Sequence, residues 1–163
     1  MTDGSRTDGP VTEGLPATFE VKLVHAFDIR MNFFKRELFG TASGGGRLGY
    51  VSFKDGVVRG PKLNGKLLEY SGADFNVTRT DLVVECNAHY MIQADDGALI
   101  YIHNRGYIYN TQPNPPGPAY FRCTPYFRAP VGPHDWLNRT VIVGGGERHT
   151  DPDYTIFRYY AVE

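Results

Sequence analysis

The sequence predicts an all-β protein, a single antiparallel up-and-down β-barrel of about eight strands. Apolar and polar residues alternate in short runs along most of the chain. Turn-forming residues separate these runs at intervals of about ten residues, which is typical of a sandwich or barrel and not of βαβ units. The apolar content of 41% and the aromatic content of 13% are enough for a packed core.

The first strand is predicted in TFEVKLVHAF, where one face carries Phe19, Val21, Leu23, His25 and Phe27. A hairpin follows in which a Lys-Asp-Gly turn joins RLGYVSF to VVRG. The meander continues through PKLNGKLLEY, DFNVTR and DLVVECNAHYMIQA. The last predicted strands are ALIYIHNRGYIY, AYFRCTPYFRA, LNRTVIVG and YTIFRYYAV.

One segment departs from this pattern and predicts a short helix inserted after the first strand. In residues 29–39, Met31, Phe34 and Leu38 recur at helical spacing with charges between them, and Gly40 provides a stop. Such a helix could close one mouth of the barrel as a lid. A structural role, as a plug or packed against the outside, is equally open.

The clearest pairing is a hairpin at Asp95-Asp96-Gly97, where a type I turn is followed by a glycine of positive φ. The apolar stripe from Leu82 to Ile92 then faces the interior. On this register Asn104 points inward, whereas Arg105 points outward beside Asn87. The predicted inward pairs are Ala94 with Ala98, Ile92 with Ile100, Tyr90 with Ile102 and Ala88 with Asn104.

The overall composition excludes several classes of protein. A formal charge of −1 and a pI near 6.5 argue against nucleic-acid binding, and no apolar run reaches the length of a membrane span. Residues 1–16 are polar, lack signal-peptide features and predict a disordered arm before a single domain at 17–163, with a cytoplasmic location. Cys86 and Cys123 predict buried, reduced thiols. No zinc-ligand spacing occurs, and neither metal nor cofactor is expected.

Four sequence blocks resemble domain-of-unknown-function family 3237: GPKLNGKLLEYSGADF, DDGALIYIHNRG, YFRCTPYF and WLNRTVIVGGGER. Their order and spacing are specific, and the resemblance covers roughly residues 46 to 162. It implies a small calycin-like or allene-oxide-cyclase-like barrel, often a homodimer. The region around residues 27–45 is longer than in a typical member, and the family pattern does not include His25. The resemblance implies no reaction.

Two residues are candidates for proton transfer. Asp74 follows a Gly-Ala unit at the start of a strand, where it either caps a turn or, facing an apolar lumen, has a raised pKa and accepts a proton. His25 lies at the end of the apolar face of the first strand. It is either a rim residue with a satisfied hydrogen bond or a base.

Other polar and aromatic residues are candidates for binding a substrate. Arg122 would pair either with a protein carboxylate, such as Asp74 or Glu147, or with an acidic substrate. Polar side chains on the lumen side would orient a carbonyl or carboxylate, and Trp136 would stack on the ligand. The predicted binding residues are Tyr90, Asn104, Arg122, Trp136, Asn138 and Glu147.

These residues favour a cofactor-independent enzyme of small-molecule or secondary metabolism. It would act as a lyase, isomerase or cyclase on an oxygenated, partly apolar substrate held in the barrel lumen. The alternative hypotheses are a non-catalytic barrel that binds a hydrophobic ligand and a structural dimerisation module. Convergence of Asp74 and at least two of Asn104, Arg122 and Asn138 in a cavity would favour catalysis. A cavity lined only by apolar groups would favour the ligand-binding barrel, and a filled barrel with these residues in outward salt bridges would exclude both.

Overall fold

In the computed structural model, residues 20–112, 117 and 119–163 are described, and they form nine strands and one short 3-10 helix. The predicted arm at residues 1–16 lies outside the described residues. The 3-10 helix, η1, is Asp135–Asn138. The strands are β1 (Leu23–Thr41), β2 (Arg47–Arg59), β3 (Gly65–Leu67), β4 (Ala73–Thr78), β5 (Val84–Ala94), β6 (Leu99–Asn110), β7 (Ala119–Arg128), β8 (Ile142–Thr150) and β9 (Asp153–Val162).

All strand pairings are antiparallel, and they run in a cycle that returns to its first strand. β1 pairs with β2, which pairs with the short strands β3 and β4. Both short strands pair with β5, and β5 to β9 then pair in chain order until β9 meets β1. The predicted all-β, up-and-down antiparallel fold is confirmed. No helix in the described part of the chain is long and apolar enough to cross a membrane.

The predicted helix at residues 29–39 is wrong, because this whole segment belongs to strand β1. It pairs with β2 as far as Thr41 and with β9 as far as Asn32. Register shifts lie on both sides of Phe33. Because each bulge moves the following side chains to the opposite face, the strand loses its two-residue period and its apolar residues acquire a spacing that resembles a helix.

The predicted β5–β6 register is confirmed residue by residue, including Ala88 opposite Asn104 and Asn87 opposite Arg105. The Ala94 N–H donates to the Ala98 carbonyl oxygen over 2.9 Å, and Gly97 has the expected positive φ of 89°. Leu82 is the exception to the predicted inner stripe. It lies in the turn before β5, where it is 72% exposed.

The inner face of the closed sheet is filled mainly by aromatic and branched aliphatic side chains. Phe27 lies between Tyr159 and Phe127, with ring centroids 5.1 and 6.1 Å away. Phe53 contacts Tyr90 edge to face at 5.0 Å. This packing fixes Tyr90 and Tyr159 in the interior, and their hydroxyl groups must find polar surroundings there.

Candidate functional site

The inner wall carries a carboxylate and an amide on either side of a small residue. Asp74 on β4 lies opposite Ala88 on β5, and Ala88 lies opposite Asn104 on β6. Directly opposite residues of antiparallel strands share a face, so all three project inward. With strands about 4.8 Å apart, Asp74 and Asn104 are separated by about 10 Å. Ala88, whose side chain is a single methyl group, lies between them.

The side-chain oxygens of Asp74 accept two hydrogen bonds. Its Oδ1 accepts from the backbone N–H of Asn87 at 2.7 Å, and its Oδ2 accepts from Nδ2 of Asn76 at 3.1 Å. Burial raises the pKa of Asp74 above its ordinary value, although these two bonds and the charges of Arg36 and His89 act in the opposite direction. A buried carboxylate with a raised pKa is suited to accept a proton.

Three buried polar atoms of the interior make no hydrogen bond within 3.5 Å in the described residues, although weaker contacts join Tyr90 to Tyr159 and the Cys123 thiol to Asn104 and Tyr159. They are Oδ1 of Asn104 and the hydroxyl groups of Tyr90 and Tyr159. Asn104 is only 3% exposed. Burial raises the pKa of Tyr90, whereas its contact with the Tyr159 hydroxyl group acts in the opposite direction. Tyr90 therefore stays a hydroxyl donor at neutral pH. Unpaired buried polar groups are costly and call for a partner.

Two thiols, Cys86 and Cys123, complete the interior cluster, whose other members are Asp74, Tyr90, Asn104 and Tyr159. Cys86 lies opposite Gly106, which in turn lies opposite Cys123, so the two sulfur atoms belong to alternate strands. A separation of about 10 Å between such Cα atoms exceeds the reach of a disulfide, about 7 Å. Both cysteines are free, as the sequence predicts. Burial raises the pKa of the Cys123 thiol to about 11 and that of Cys86 further, so neither is a thiolate at neutral pH.

A pocket of about 900 Å³ lies on the outer face of the sheet from β5 to β9, and Cys86 and Cys123 of the interior cluster are also among the residues that line it. Its floor contains Gly106, Gly144 and Gly145, and arginine and tyrosine side chains stand around it. Arg122 is among them, so this predicted binding residue projects outward and away from Asp74. Its Nη1 donates to the Phe121 carbonyl oxygen at 2.9 Å, and its Cζ lies 5.3 Å from the Tyr120 ring centroid.

Two further predicted site residues lie outside the interior cluster. His25 lies on the outer face, with its Nε2 2.9 Å from Oδ1 of Asp28. A bulge at Ala26 places His25 opposite Tyr160, an outer residue. Glu147 is exposed on β8, and its Oε1 lies 3.1 Å from Nε2 of His149.

Trp136 and Asn138 lie in the 3-10 helix η1, and the predicted strand LNRTVIVG begins only at Ile142. Asn138 accepts from the Ala129 N–H at 2.8 Å and donates to the Ala129 carbonyl oxygen at 2.9 Å. These bonds fasten the end of β7. Trp136 packs against the core, and Nζ of Lys62 lies 5.6 Å from its ring centroid. The structure thus brings together Asp74, Tyr90 and Asn104, but not the other predicted residues.

Comparison with known proteins identifies the family and the relatives of this chain. The model of the family described as "Protein of unknown function (DUF3237)" matches residues 21–162. The chain belongs to this family. The match begins before β1 and so includes the 27–45 region. A UPF0311 protein of Rhodopseudomonas palustris is 32% identical over 106 residues, 59% of this chain and 69% of that protein. A UPF0311 protein of Clostridium acetobutylicum is 29% identical over 153 residues, 88% and 95% of the two chains.

Solved structures show that the DUF3237 fold extends to more distant proteins. A beta-barrel like protein from Acinetobacter baumannii superimposes with a TM-score of 0.82 at 24% identity, covering 90% of this chain and 98% of that one. An enzyme from Penicillium herquei superimposes with a TM-score of 0.70 at 18% identity, covering 91% and 98%. At these identities the likeness concerns the fold.

Sequence reasoning on this DUF3237 chain missed Tyr159 and the two thiols as neighbours of Asn104. The alternation Phe157, Tyr159, Ala161 in the last strand predicts that Tyr159 faces inward. Its position beside Cys123 depends on two pairings, because Gly144 lies opposite both Cys123 and Tyr159. No group of three or more His, Cys, Asp or Glu side chains in the described ranges is arranged to hold a metal ion.

Proposed function

We propose that this protein is a cofactor-independent enzyme that moves a proton on an oxygenated, partly apolar small molecule bound at the inner wall. The reaction type would be that of a lyase, isomerase or cyclase. The observation that carries the proposal is the inward-facing pair of Asp74 and Asn104, with the buried hydroxyl groups of Tyr90 and Tyr159 in the same interior.

Asp74 is the proposed proton acceptor. Its two hydrogen bonds come from Asn87 and Asn76, and neither donor is a cation. The carboxylate therefore keeps its basicity, which a direct arginine pair would lower. It takes a proton from a C–H or O–H bond of the substrate, the bonding electron pair stays on the substrate, and the protonated Asp74 then returns the proton at another atom.

The unpartnered atoms define what the substrate must offer. Oδ1 of Asn104 accepts a hydrogen bond, so the substrate needs a hydroxyl or N–H group there. Tyr90 and Tyr159 carry hydroxyl groups that can donate to a carbonyl or enolate oxygen as negative charge develops. The surrounding wall is apolar, with Phe53 and Phe127 in the same core. A hydroxylated aromatic ketone combines all these features.

A protein of similar fold supports the proposal. The solved structure from Penicillium herquei is that of an enzyme, so a sheet of this kind supports catalysis in at least one protein. In this protein the interior cluster supplies a base, Asp74, and polar groups that could orient a substrate. Because His25 lies on the outer face beside Asp28, the proposal assigns proton transfer to Asp74 alone.

Deuterium exchange tests the proton-transfer step without knowledge of the natural substrate. The full chain is incubated in D₂O with a panel of hydroxylated aryl ketones, beginning with 2-hydroxyacetophenone, and deuterium incorporation is followed by mass spectrometry. Wild-type protein is expected to accelerate incorporation for at least one member. Asp74→Asn is expected to lose about 10²- to 10⁴-fold of that acceleration, the usual contribution of a positioned base.

Two control variants separate catalysis from folding. Asp81→Asn removes an exposed carboxylate that contacts Arg79 in the turn before β5, and His25→Ala removes the other candidate base. Both are expected to exchange at the wild-type rate. Equal acceleration by Asp74→Asn and wild type would rule out Asp74 as the base. Saturable binding of a panel member with no exchange would favour the non-catalytic ligand-binding alternative.

A further inference from the structure

We infer that the outer pocket on strands β5 to β9 is a second binding site, and that its ligand is a small aromatic carboxylate. Three features of the pocket point to such a ligand: a glycine that the fold does not require, two arginines without carboxylate partners within 4.0 Å in the described chain, and tyrosine side chains around the opening. None of these involves Asp74, so the inference does not rest on the proposed function.

Gly145 differs from every other glycine in the described residues. The others either adopt a positive φ or leave no space for a Cβ, as at Gly144, where a Cβ would lie 2.6 Å from the Tyr159 ring. At Gly145 the φ is outside the left-handed region, and a Cβ would lie 3.4 Å from Nη1 of Arg122, an ordinary contact. Folding alone does not demand glycine here. Its effect is to keep the floor of the pocket open.

The charge of the pocket is positive and partly uncompensated. Three arginines line it, and one of them, Arg158, is neutralised by Asp28 through two bonds of 2.9 Å. The other two, Arg105 and Arg122, have no carboxylate within 4.0 Å in the described chain. The single glutamate of the wall, Glu85, lies 3.4 Å from Nη1 of Arg79.

Arg105 and Arg122 lie close together on neighbouring strands. Arg105 on β6 is opposite Thr124 on β7, and Arg122 is opposite Tyr107. The two arginines are therefore diagonal neighbours on the outer face, about 7–8 Å apart at Cα. Planar guanidinium groups bind carboxylates through two parallel N–H bonds. A ligand carboxylate between Arg105 and Arg122 would accept hydrogen bonds from both guanidinium groups.

The aromatic residues account for the rest of the ligand. Tyr107, Tyr120 and Tyr160 stand on the pocket wall. Tyr120 is already stacked on Tyr109 at 4.6 Å, which fixes the plane of its ring. Such rings bind flat apolar groups by offset stacking. A pocket of about 900 Å³ lies within the range of small-molecule sites, about 300–1,000 Å³.

Binding of 1-naphthoate to the full chain tests this inference, with 1-naphthamide as the neutral analogue. Isothermal titration calorimetry is expected to show saturable binding of the acid. The amide should bind at least about tenfold more weakly, because it loses one charge-assisted contact. Arg122→Gln should weaken binding of the acid about tenfold. Gly145→Val, which fills the floor, should abolish binding without unfolding the sheet.

Arg128→Gln is the matched control, because Arg128 is on the same strand and face as Arg122 but stands over Tyr126 outside the pocket. It should bind 1-naphthoate like wild type, and so should Asp74→Asn, which separates this site from the proposed catalytic one. Absent saturable binding, or equal binding by all variants, would overturn the inference. So would a change in molecular mass by light scattering in Arg122→Gln or Gly145→Val, because it would identify the pocket as a contact between copies of the chain.

Discussion

The backbone N–H of Asn87 donates to Oδ1 of Asp74 over 2.7 Å, from the strand next to the one that carries the carboxylate. This bond holds Asp74 at the inner wall, where burial raises its pKa. The side chain of the same Asn87 is 2.7 Å from Nε2 of His103 on the outer face. One residue thus links the interior carboxylate to the outer histidines.

Asp74 is expected to make the stability of the fold depend on pH in the acidic range. Because its folded pKa is raised above 3.8, the folded state binds the proton more tightly than the unfolded state. Its stabilising contribution is therefore complete below pH 3.8 and is lost as the pH rises through the folded pKa. In Asp74→Asn this loss disappears, so the free energy of unfolding of the variant, minus that of wild type, should increase with pH and then level off.

Urea unfolding between pH 3.5 and 7, at about half-unit steps, measures this difference. Asp81→Asn, in the neighbouring turn, is the control for removing one carboxylate from this region. A difference between Asp74→Asn and wild type that stays constant over the whole range would contradict a raised pKa for Asp74.

His103 is expected to titrate below the ordinary histidine value of 6.5. Burial lowers its pKa, and the nearby charges of His89 and Arg105 lower it further. The folded state therefore favours the neutral ring, so stability present above pH 6.5 is lost as the pH falls through the folded pKa. The ring of His89, one source of this effect, is stacked on His103 with centroids 4.0 Å apart.

An NMR titration of the histidine ring protons measures this pKa directly. In Arg105→Gln, where one of the named charges is absent, the pKa of His103 should rise towards 6.5. His103→Gln should reduce the loss of stability between pH 7.5 and 5.5. A His103 pKa at or above 6.5 in wild type would refute the electrostatic assignment.

Two adjacent glycines on β8 should respond very differently to alanine. Gly144→Ala would place a Cβ against the Tyr159 ring and 3.0 Å from Sγ of Cys123. We expect it to lower the free energy of unfolding by about 1–3 kcal/mol, as overpacking of a core does. Gly145→Ala meets only ordinary contacts and should change it by less than about 0.5 kcal/mol. Equal effects of the two substitutions, by urea unfolding, would contradict this description of the floor.

Leu82 carries backbone strain in the turn that precedes β5. Its φ is +68°, in the left-handed region, and its side chain is mostly exposed. A non-glycine residue in this conformation costs about 1–2 kcal/mol. Leu82→Gly should therefore be more stable than Leu82→Ala, which retains the Cβ but loses the same exposed side chain. Thermal melting of the two variants tests this, and a higher melting temperature for the alanine variant would contradict it.

Sequence reasoning was most successful where a short turn sets the pairing of two strands. The turn at Asp96 and Gly97 fixes the β5–β6 register, and the inward position of Asn104 follows from counting residues along the hairpin. Asp74 could be placed at the start of a strand, but its distance from Asn104 could not be predicted. That distance depends on β4 pairing with β5 through the turn at residues 79–83, and the sequence signals of this turn do not set the register.

The errors arose where the backbone departs from a regular period. The bulges around Phe33 gave β1 a helix-like spacing. Trp136 and Asn138 lie in a 3-10 turn that follows Pro130 and Pro133, and these prolines were the available signal for a loop. The outer pocket was not predicted, because Arg122 and Gly145 meet through the β7–β8 pairing, which no short turn specifies.

Strand β1 has consequences for how the molecule forms, because it hydrogen-bonds to β2 along one edge and to β9 along the other. Leu23 lies opposite Val162, so the cycle of strands closes only when the two most distant segments of the described chain meet. Contacts of such long sequence separation slow folding, because a large loop must be ordered before they form. Until β9 docks, both β1 and β8 expose unpaired backbone edges. Assembly of this sheet is therefore expected to be cooperative, with protection of the β9 amides from hydrogen exchange as its last event.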